Sequence, residues 1–295
     1  MRPTCSYLIC TTPRSGSWLL AEGLLATGIA GRPEEYFRPD WFARFRSAGR
    51  IEYQHRLHRD DAWPDGVRVD TGGGPTTLQP DGDELDRFLA FLDAVVAAGT
   101  TPDGVFGAKV HWQQLAKALA WLRLDPARRH LDDAELLATW LPGLRLVHLR
   151  RDDAIRRAVS HYRAIRSDVW WADGTSADGN GAGETALAEL GEDDLLEIDR
   201  LRTRAEEHQQ HWTTFFARST APRLDISYEE LAVDVAGGVG QVLRFLGLSL
   251  DESRIAPPRL RRQSDVWTDS IVHTYITWRR GRAQMRTQDY GPSRT

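Results

Sequence analysis

The loop "TTPRSGSW", residues 11–18, holds the side chains best suited to binding an anion near the start of the chain. It follows the apolar run "YLIC" and precedes apolar residues at helical spacing, which predicts a strand, a loop and a helix. Such a loop offers backbone N–H groups and the helix dipole to an anion, and Arg14, Ser15 and Ser17 add a cation and hydroxyls. Gly16 lets the backbone approach a ligand closely. The loop lacks the Gly-Lys-Ser/Thr ending of a Walker A motif, so it predicts an anion site of another kind.

A second loop repeats this design in "LVHLRRDDAIRRAVSHYRAI", residues 146–165. A buried strand ends at a cationic turn containing Arg151, and the helix that follows carries Ser160. Because neighbouring parallel strands end at the same edge of a sheet, we expect the two loops to lie close together. They would then hold one ligand with two separated anionic groups.

Both loops also have a simpler interpretation. The first could be a polar turn in which Ser17 caps the helix. In the second, Arg151 could be a solvated turn residue, and Ser160 could bond to its own helix backbone. The occurrence of two such loops in one predicted sheet favours the functional interpretation.

The segment "AKVHW", residues 108–112, contains one of only two lysines among the 38 basic residues of the chain, the other being Lys117. Lys109 ends a short apolar strand, and its neighbours Val110 and Trp112 argue against a surface lysine. His111 lies two residues further, on the same side of an extended segment. This spacing places a cation and a titratable imidazole at one site.

The rest of the chain predicts an α/β fold. Strands at 6–11, 104–110, 144–149 and 223–227 alternate with helices, which implies a mainly parallel sheet between two helical layers. We expect one domain over 1–295, with loop insertions near 60–82 and 170–185, and a polar segment after "APPRL". The net charge of −4 gives no case for nucleic-acid binding, and no apolar run is long enough to span a membrane. Cys5 and Cys10 would face opposite sides of one strand, which favours a reduced, cytoplasmic protein.

These motifs resemble those of sulfotransferases, and among them the bacterial trehalose 2-sulfotransferase-like family. The stretches that carry the resemblance occur in order along most of the chain: "TPRSGSWLLAEGLLATGIAGRPEEYF", "GVFGAKVHW", "AVSHYRAIRSDVW" and "RRQSDVW". The resemblance implies a P-loop-like three-layer sandwich and the sulfuryl donor 3'-phosphoadenosine-5'-phosphosulfate (PAPS), with adenosine 3',5'-bisphosphate (PAP) as product. It implies no metal and a homodimer.

The resemblance also implies binding roles for the two loops. The first loop would hold the 5'-phosphosulfate, with these residues: Thr12, Pro13, Arg14, Ser15, Gly16, Ser17 and Trp18. Arg151 and Ser160 would hold the 3'-phosphate. The basic run "RLRRQ" itself, apart from the resemblance, indicates either a loop that closes over the 3'-phosphate through Arg262 or a solvated basic patch. The superfamily usually has Thr where this chain has Trp18, so one hydroxyl for the 5'-phosphate is missing.

For catalysis, the resemblance places the general base at Glu35 in "GRPEEYF". A carboxylate among apolar residues gains basicity by desolvation, although Glu34 and Glu35 could also be solvated acids that begin a helix. Sulfotransferases of phenols and small alcohols have a Lys-x-His arrangement similar to Lys109 and His111 and use the histidine, so His111 is the alternative base. Arg14 and Lys109 would neutralise charge on the donor, with Lys109 near the bridging oxygen.

The acceptor is expected to be a hydroxyl of a sugar, a glycolipid or another natural product. Arg32 stands where the trehalose-type enzymes would carry an acid facing the sugar, so trehalose itself is not implied. Two other classes remain: a nucleotide-dependent phosphotransferase and an inactive protein that senses PAPS. A phosphotransferase would need an acidic strand end to hold Mg²⁺, whereas Arg150 and Arg151 make this end basic.

Overall fold

One parallel sheet of four strands organises the protein. The computed structural model describes residues 2–38, 41, 82–170, 190–250 and 266–289. The strands are β1 (Cys5–Thr11), β2 (Val105–His111), β3 (Leu144–Arg150) and β4 (Arg223–Ser227). They lie in the order β2-β1-β3-β4, and every neighbouring pair is parallel. The predicted parallel sheet is therefore confirmed.

In the residues that the structure describes, helices follow each strand of the sheet. They are α1 (Ser17–Ala26), α2 (Gly82–Gly99), α3 (Trp112–Leu122), α4 (Asp133–Trp140), α5 (Ala154–Ser167), α6 (Glu192–Arg218), α7 (Tyr228–Val233), α8 (Val235–Leu246) and α9 (Val266–Asp289). Across these described segments, no helix combines the length and apolarity needed to cross a membrane.

Helices cover both faces of the sheet. Alternate residues of β1 point to opposite faces: Leu8 and Cys10 pack with α2, α3, α4 and α6, whereas Tyr7 and Ile9 pack with α1, α7 and α8. A strand buried on both faces reads as a continuous apolar run, as "YLIC" does. The three-layer α/β prediction is confirmed. Cys5 and Cys10 are both free thiols.

The polar C-terminal segment contains a long helix that the sequence did not predict. Helix α9 packs Ile271 and Tyr275 against α5 and α6, in a cluster separate from the two sheet faces. The Tyr275 hydroxyl donates to Asp199 at 2.6 Å and accepts from Arg202 at 3.0 Å. A partly buried polar network therefore adds to the apolar contact of α9. Arg262 and most of the two predicted insertions lie outside the described residues.

Candidate active site at the carboxyl edge of the sheet

The sheet register brings the predicted site residues to one edge. Thr11, the last residue of β1, pairs with His111 at the end of β2 and with Leu149 near the end of β3. The segments that follow these strands therefore leave the sheet side by side. This is the edge at which open parallel sheets bind ligands.

The first loop turns sharply at Arg14 and Gly16, whose φ angles are +64° and +77°. Gly16 is the N-cap of α1, and no side chain caps this helix, so the interpretation of Ser17 as a capping residue is wrong. A Cβ atom at Gly16 would lie 2.4 Å from the ring of Tyr228, so a larger residue is excluded by the ring as well as by the backbone angle. The uncapped end of α1 keeps its N–H groups facing the loop.

Arg14 joins the two predicted loops directly. Its Nε donates to the Ser160 hydroxyl at 3.0 Å, and its carbonyl oxygen accepts from Nη1 of Arg151 at 3.1 Å. Arg14 also donates to the Trp170 carbonyl. Burial, followed by the nearby Arg151 charge, lowers the pKa of Arg14 to about 10. The cations are thus held close together despite their mutual repulsion, which an anionic ligand would relieve.

The remaining predicted residues of the first loop shape it from inside. The hydroxyls of Thr12 and Ser15 lie 2.9 Å apart and are buried, so they bond to each other. Ser17 is buried at the start of α1, and Pro13 is half-buried beside Arg14. The Trp18 ring turns toward β2, where the Lys109 ammonium lies 4.2 Å from its centroid.

Two residues of this edge were missed from the sequence, Arg157 and Tyr228. Arg157 is 4% exposed, and its Nη1 lies 3.4 Å from both the Thr12 hydroxyl and the Arg151 carbonyl oxygen. The Arg151 guanidinium lies over the ring of Tyr228, 4.5 Å from its centroid. The signals were present: Arg157 lies one helical turn before Ser160, and Tyr228 directly follows a strand.

Glu35 reaches the edge because its segment runs alongside β2. The Arg32 N–H donates to the Gly99 carbonyl, and the Glu34 carbonyl accepts from the Lys109 N–H, both at 2.9 Å. Gly31 makes the approach possible, since a Cβ there would lie 2.5 Å from the Gly107 nitrogen. The side chain of Arg32 donates to the Ala98 carbonyl at 3.2 Å.

Glu35 lies at the centre of a buried cluster. Its Oε2 forms an ion pair with the Lys109 ammonium, and its Oε1 accepts from Nε2 of Gln114 at 2.6 Å. Nε2 of His111 lies 3.6 Å from the same Oε1. Lys109 is 1% exposed and Glu35 is 9% exposed. The interpretations of Lys109 as a surface residue and of Glu35 as a solvated acid are therefore wrong.

Gln114, which was also missed from the sequence, fixes the orientation of Glu35. Its Oε1 accepts the His111 N–H at 3.0 Å, so its Nε2 must be the group that donates to Glu35. Gln114 is the third residue after His111, the spacing of a helix-capping pair, which was the available signal.

Two groups of this cluster have pKa values below their ordinary values, for different reasons. Burial alone would raise the pKa of Glu35, but the charges of Lys109 and His111 and the hydrogen bonds from Lys109 and Gln114 hold it well below its usual range. Burial, the largest cause, lowers the pKa of His111 to about 4; Glu35 opposes this shift and Lys109 adds to it. Nδ1 of His111 lies 3.4 Å from the Thr11 carbonyl, which places the proton of the neutral ring on Nδ1.

We expect the stability of the protein to fall as the pH is lowered from 6.5 to 4. In this window an unfolded His111 binds a proton while the folded one does not, so protonation favours unfolding, by at most about 1.4 kcal/mol per pH unit. His111→Gln should make the fall in Tm shallower, whereas the exposed control His130→Gln should leave it unchanged. Parallel Tm curves for wild type and His111→Gln would contradict the assignment.

A match to a family of known proteins agrees with this geometry. The family model for Stf0 sulphotransferase matches residues 6–277, so the chain belongs to this family and is an enzyme of the sulfotransferase class. The resemblance seen in the sequence is thereby confirmed.

Individual relatives match over most of their length. The trehalose 2-sulfotransferase of Mycolicibacterium smegmatis is 28% identical over 286 residues, which cover 92% of this chain and 94% of that protein. The trehalose 2-sulfotransferase of Mycobacterium tuberculosis is 29% identical over 281 residues, covering 91% and 93%. Among solved structures, a sulfotransferase from Alicyclobacillus acidocaldarius aligns with a TM-score of 0.40 at 15% identity, covering 94% of this chain and 92% of that one.

Proposed function

We propose that this sulfotransferase moves the sulfuryl group of PAPS to a hydroxyl of a sugar, a glycolipid or another small natural product. The observation that carries the proposal is the direct contact between the two cationic loops, through Arg14, Ser160 and Arg151, beside the buried Glu35–Lys109 pair. Two such loops can hold a donor that has an anionic group at each end. Transfer to a hydroxyl also needs a base within reach of the acceptor's proton.

In this proposal each loop holds one end of the donor. The backbone N–H groups at the start of α1 and the Arg14 guanidinium face the 5'-phosphosulfate. Arg151 and Ser160 hold the 3'-phosphate. Arg157 supports both loops from beneath, since it contacts Thr12 and the Arg151 carbonyl.

The reaction is a displacement at sulfur. The acceptor oxygen forms a bond to sulfur while the bond between sulfur and the bridging oxygen breaks, so the products are the sulfate ester and PAP. The acceptor's proton goes to the base, and the negative charge that develops on the leaving phosphate oxygen is neutralised by Lys109. Fixed cations aimed at developing charge are the main source of catalysis in the analogous phosphoryl transfers.

Glu35 is the base in this proposal, and His111 is the alternative. Glu35 is ionised and held by Gln114, so it has a lone pair at a fixed position. His111 is neutral at pH 7 and has its own lone pair on Nε2, close to the same carboxylate. Because the two side chains lie close together, their positions do not decide which of them is the base, and substitution has to decide it.

The relatives, which are named for trehalose, support the proposed acceptor class. Position 32 holds an arginine instead of an acid that could face a sugar hydroxyl, and the side chain of Arg32 donates to the Ala98 carbonyl. We therefore propose a hydroxylated acceptor without naming trehalose. A homodimer is part of the same proposal and is tested by light scattering.

The proposal is tested by incubating the enzyme with PAPS and a panel of acceptors: trehalose, other sugars, glycolipid fragments and natural-product alcohols. Mass spectrometry should show addition of SO₃ to at least one member and stoichiometric PAP. PAP should also raise the Tm more than ATP–Mg²⁺ does. A larger shift with ATP–Mg²⁺, together with phosphorylated instead of sulfated product, would replace the proposal with a phosphotransferase.

A further inference from the structure

The Lys109 ammonium is already engaged in the structure. It forms a buried ion pair with Glu35 and lies against the Trp18 ring. A lysine that is 1% exposed must keep a counter-charge, because an isolated ammonium in the interior is strongly destabilising. Glu35 supplies that charge in the absence of a donor.

The proposed reaction requires a different arrangement of the same two residues. Lys109 must face the donor, and Glu35 must accept a proton from the acceptor. A carboxylate paired with an ammonium is a poor base, because the pairing lowers its pKa and so its tendency to take a proton. The pair seen here therefore leaves Glu35 in its inactive state.

We propose that the donor and Glu35 compete for the Lys109 ammonium, so that donor binding breaks the Lys109–Glu35 ion pair and releases Glu35 to act as the base. This inference rests on the proposed function. The donor's phosphosulfate carries more charge than a carboxylate and can outcompete it for the ammonium. Acceptor activation is thereby restricted to the donor-loaded enzyme.

The surroundings of the pair permit this exchange. Lysine has a long, flexible stem, so its ammonium can move while its backbone stays in β2. Glu35 keeps its place when the ammonium leaves, because Gln114 donates to Oε1 at 2.6 Å and is itself fixed by the His111 N–H. The base is thus freed without being displaced.

Competition has a consequence for binding that a fixed Lys109–Glu35 pair does not have. Breaking the pair opposes donor binding, so removing the Glu35 charge should make donor binding tighter. We expect Glu35→Gln to bind PAP about tenfold more tightly than wild type in calorimetric titration, because the free energy of breaking the ion pair no longer opposes binding. The matched control is Glu34→Gln, which removes the same charge at the neighbouring buried position and should bind PAP much as wild type does.

The dependence on Lys109 is tested in a double-mutant cycle. In a Lys109→Met background, Glu35→Gln should no longer tighten PAP binding. If Glu35→Gln does not fold, Glu35→Asp replaces it. Its shorter side chain weakens the ion pair with Lys109, so PAP binding should tighten by less.

The outcomes separate this inference from the function on which it rests. If Glu35→Gln binds PAP no more tightly than Glu34→Gln, or tightens equally without Lys109, the competition is overturned while the donor site stands. If wild-type protein does not bind PAP, the proposed function itself fails.

Discussion

Glu35→Gln is expected to lower kcat by about 10³-fold at saturating PAPS and acceptor, within the range of roughly 10²–10⁴ that a positioned base contributes. The new amide keeps the shape of the glutamate side chain, and its oxygen can still accept the hydrogen bond from Gln114. It cannot take the acceptor's proton. The measurement is the initial rate of PAP release with whichever acceptor of the panel is sulfated.

Two further variants make this result specific. Glu34→Gln loses the same charge one residue away and should leave kcat largely unchanged. His111→Ala should reduce kcat by no more than about tenfold, since a lone pair near the base is lost but the base remains. A reversed order, with His111→Ala the more damaging, would make His111 the base and Glu35 its partner.

The second large effect is expected for Arg151→Ala, which should weaken PAP binding by about 30-fold. One charge-assisted hydrogen bond to a phosphate is worth roughly 1.5–3 kcal/mol. Binding of adenosine 5'-monophosphate, which lacks the 3'-phosphate, should change little. Both affinities are measured by calorimetry.

The neighbouring residue provides the matched control for this prediction. Arg150 is half-exposed and forms an ion pair with Asp152 at 2.5 Å, so Arg150→Ala removes one positive charge beside Arg151 while leaving Arg151 and Ser160 in place. It should leave PAP affinity close to that of wild type. Equal losses for Arg150→Ala and Arg151→Ala, or equal losses for PAP and the monophosphate, would mean that Arg151 does not hold the 3'-phosphate.

Much of the fold follows from local patterns in the sequence. The helices Asp133–Trp140 and Val235–Leu246 begin and end where their apolar spacing and their terminal residues predict. Helix α9 was missed because its buried positions pack on α5 and α6 rather than on the sheet, and most of its surface is polar. Its identity as a helix depends on a contact far away in sequence.

The position of a candidate site residue was predictable where its type and its place at or after a strand end were enough. Arg14, Arg151, Ser160 and Lys109 lie where the sequence puts them, and the structure adds that Arg14 touches Ser160. Arg157 lies one helical turn before Ser160, but that spacing is a weak signal in an arginine-rich chain, and the burial that sets Arg157 apart is visible only in the structure.

The pairing of Lys109 with Glu35 was not predictable in the same way. The two residues are 74 positions apart, and the sequence suggested separate roles for them. Their contact depends on the segment 31–35 lying along β2, which in turn depends on the close approach of two glycines. Spacing along the chain carries no information about such a contact.

The central claim is that one donor is held at both ends by the loops that follow β1 and β3, and a crystal structure of the PAP complex tests it most directly. The 5'-phosphate should lie against residues 12–18 at the start of α1, and the 3'-phosphate should contact Arg151 and Ser160. PAP bound away from this edge, or an Arg151 side chain directed away from the nucleotide, would contradict the account.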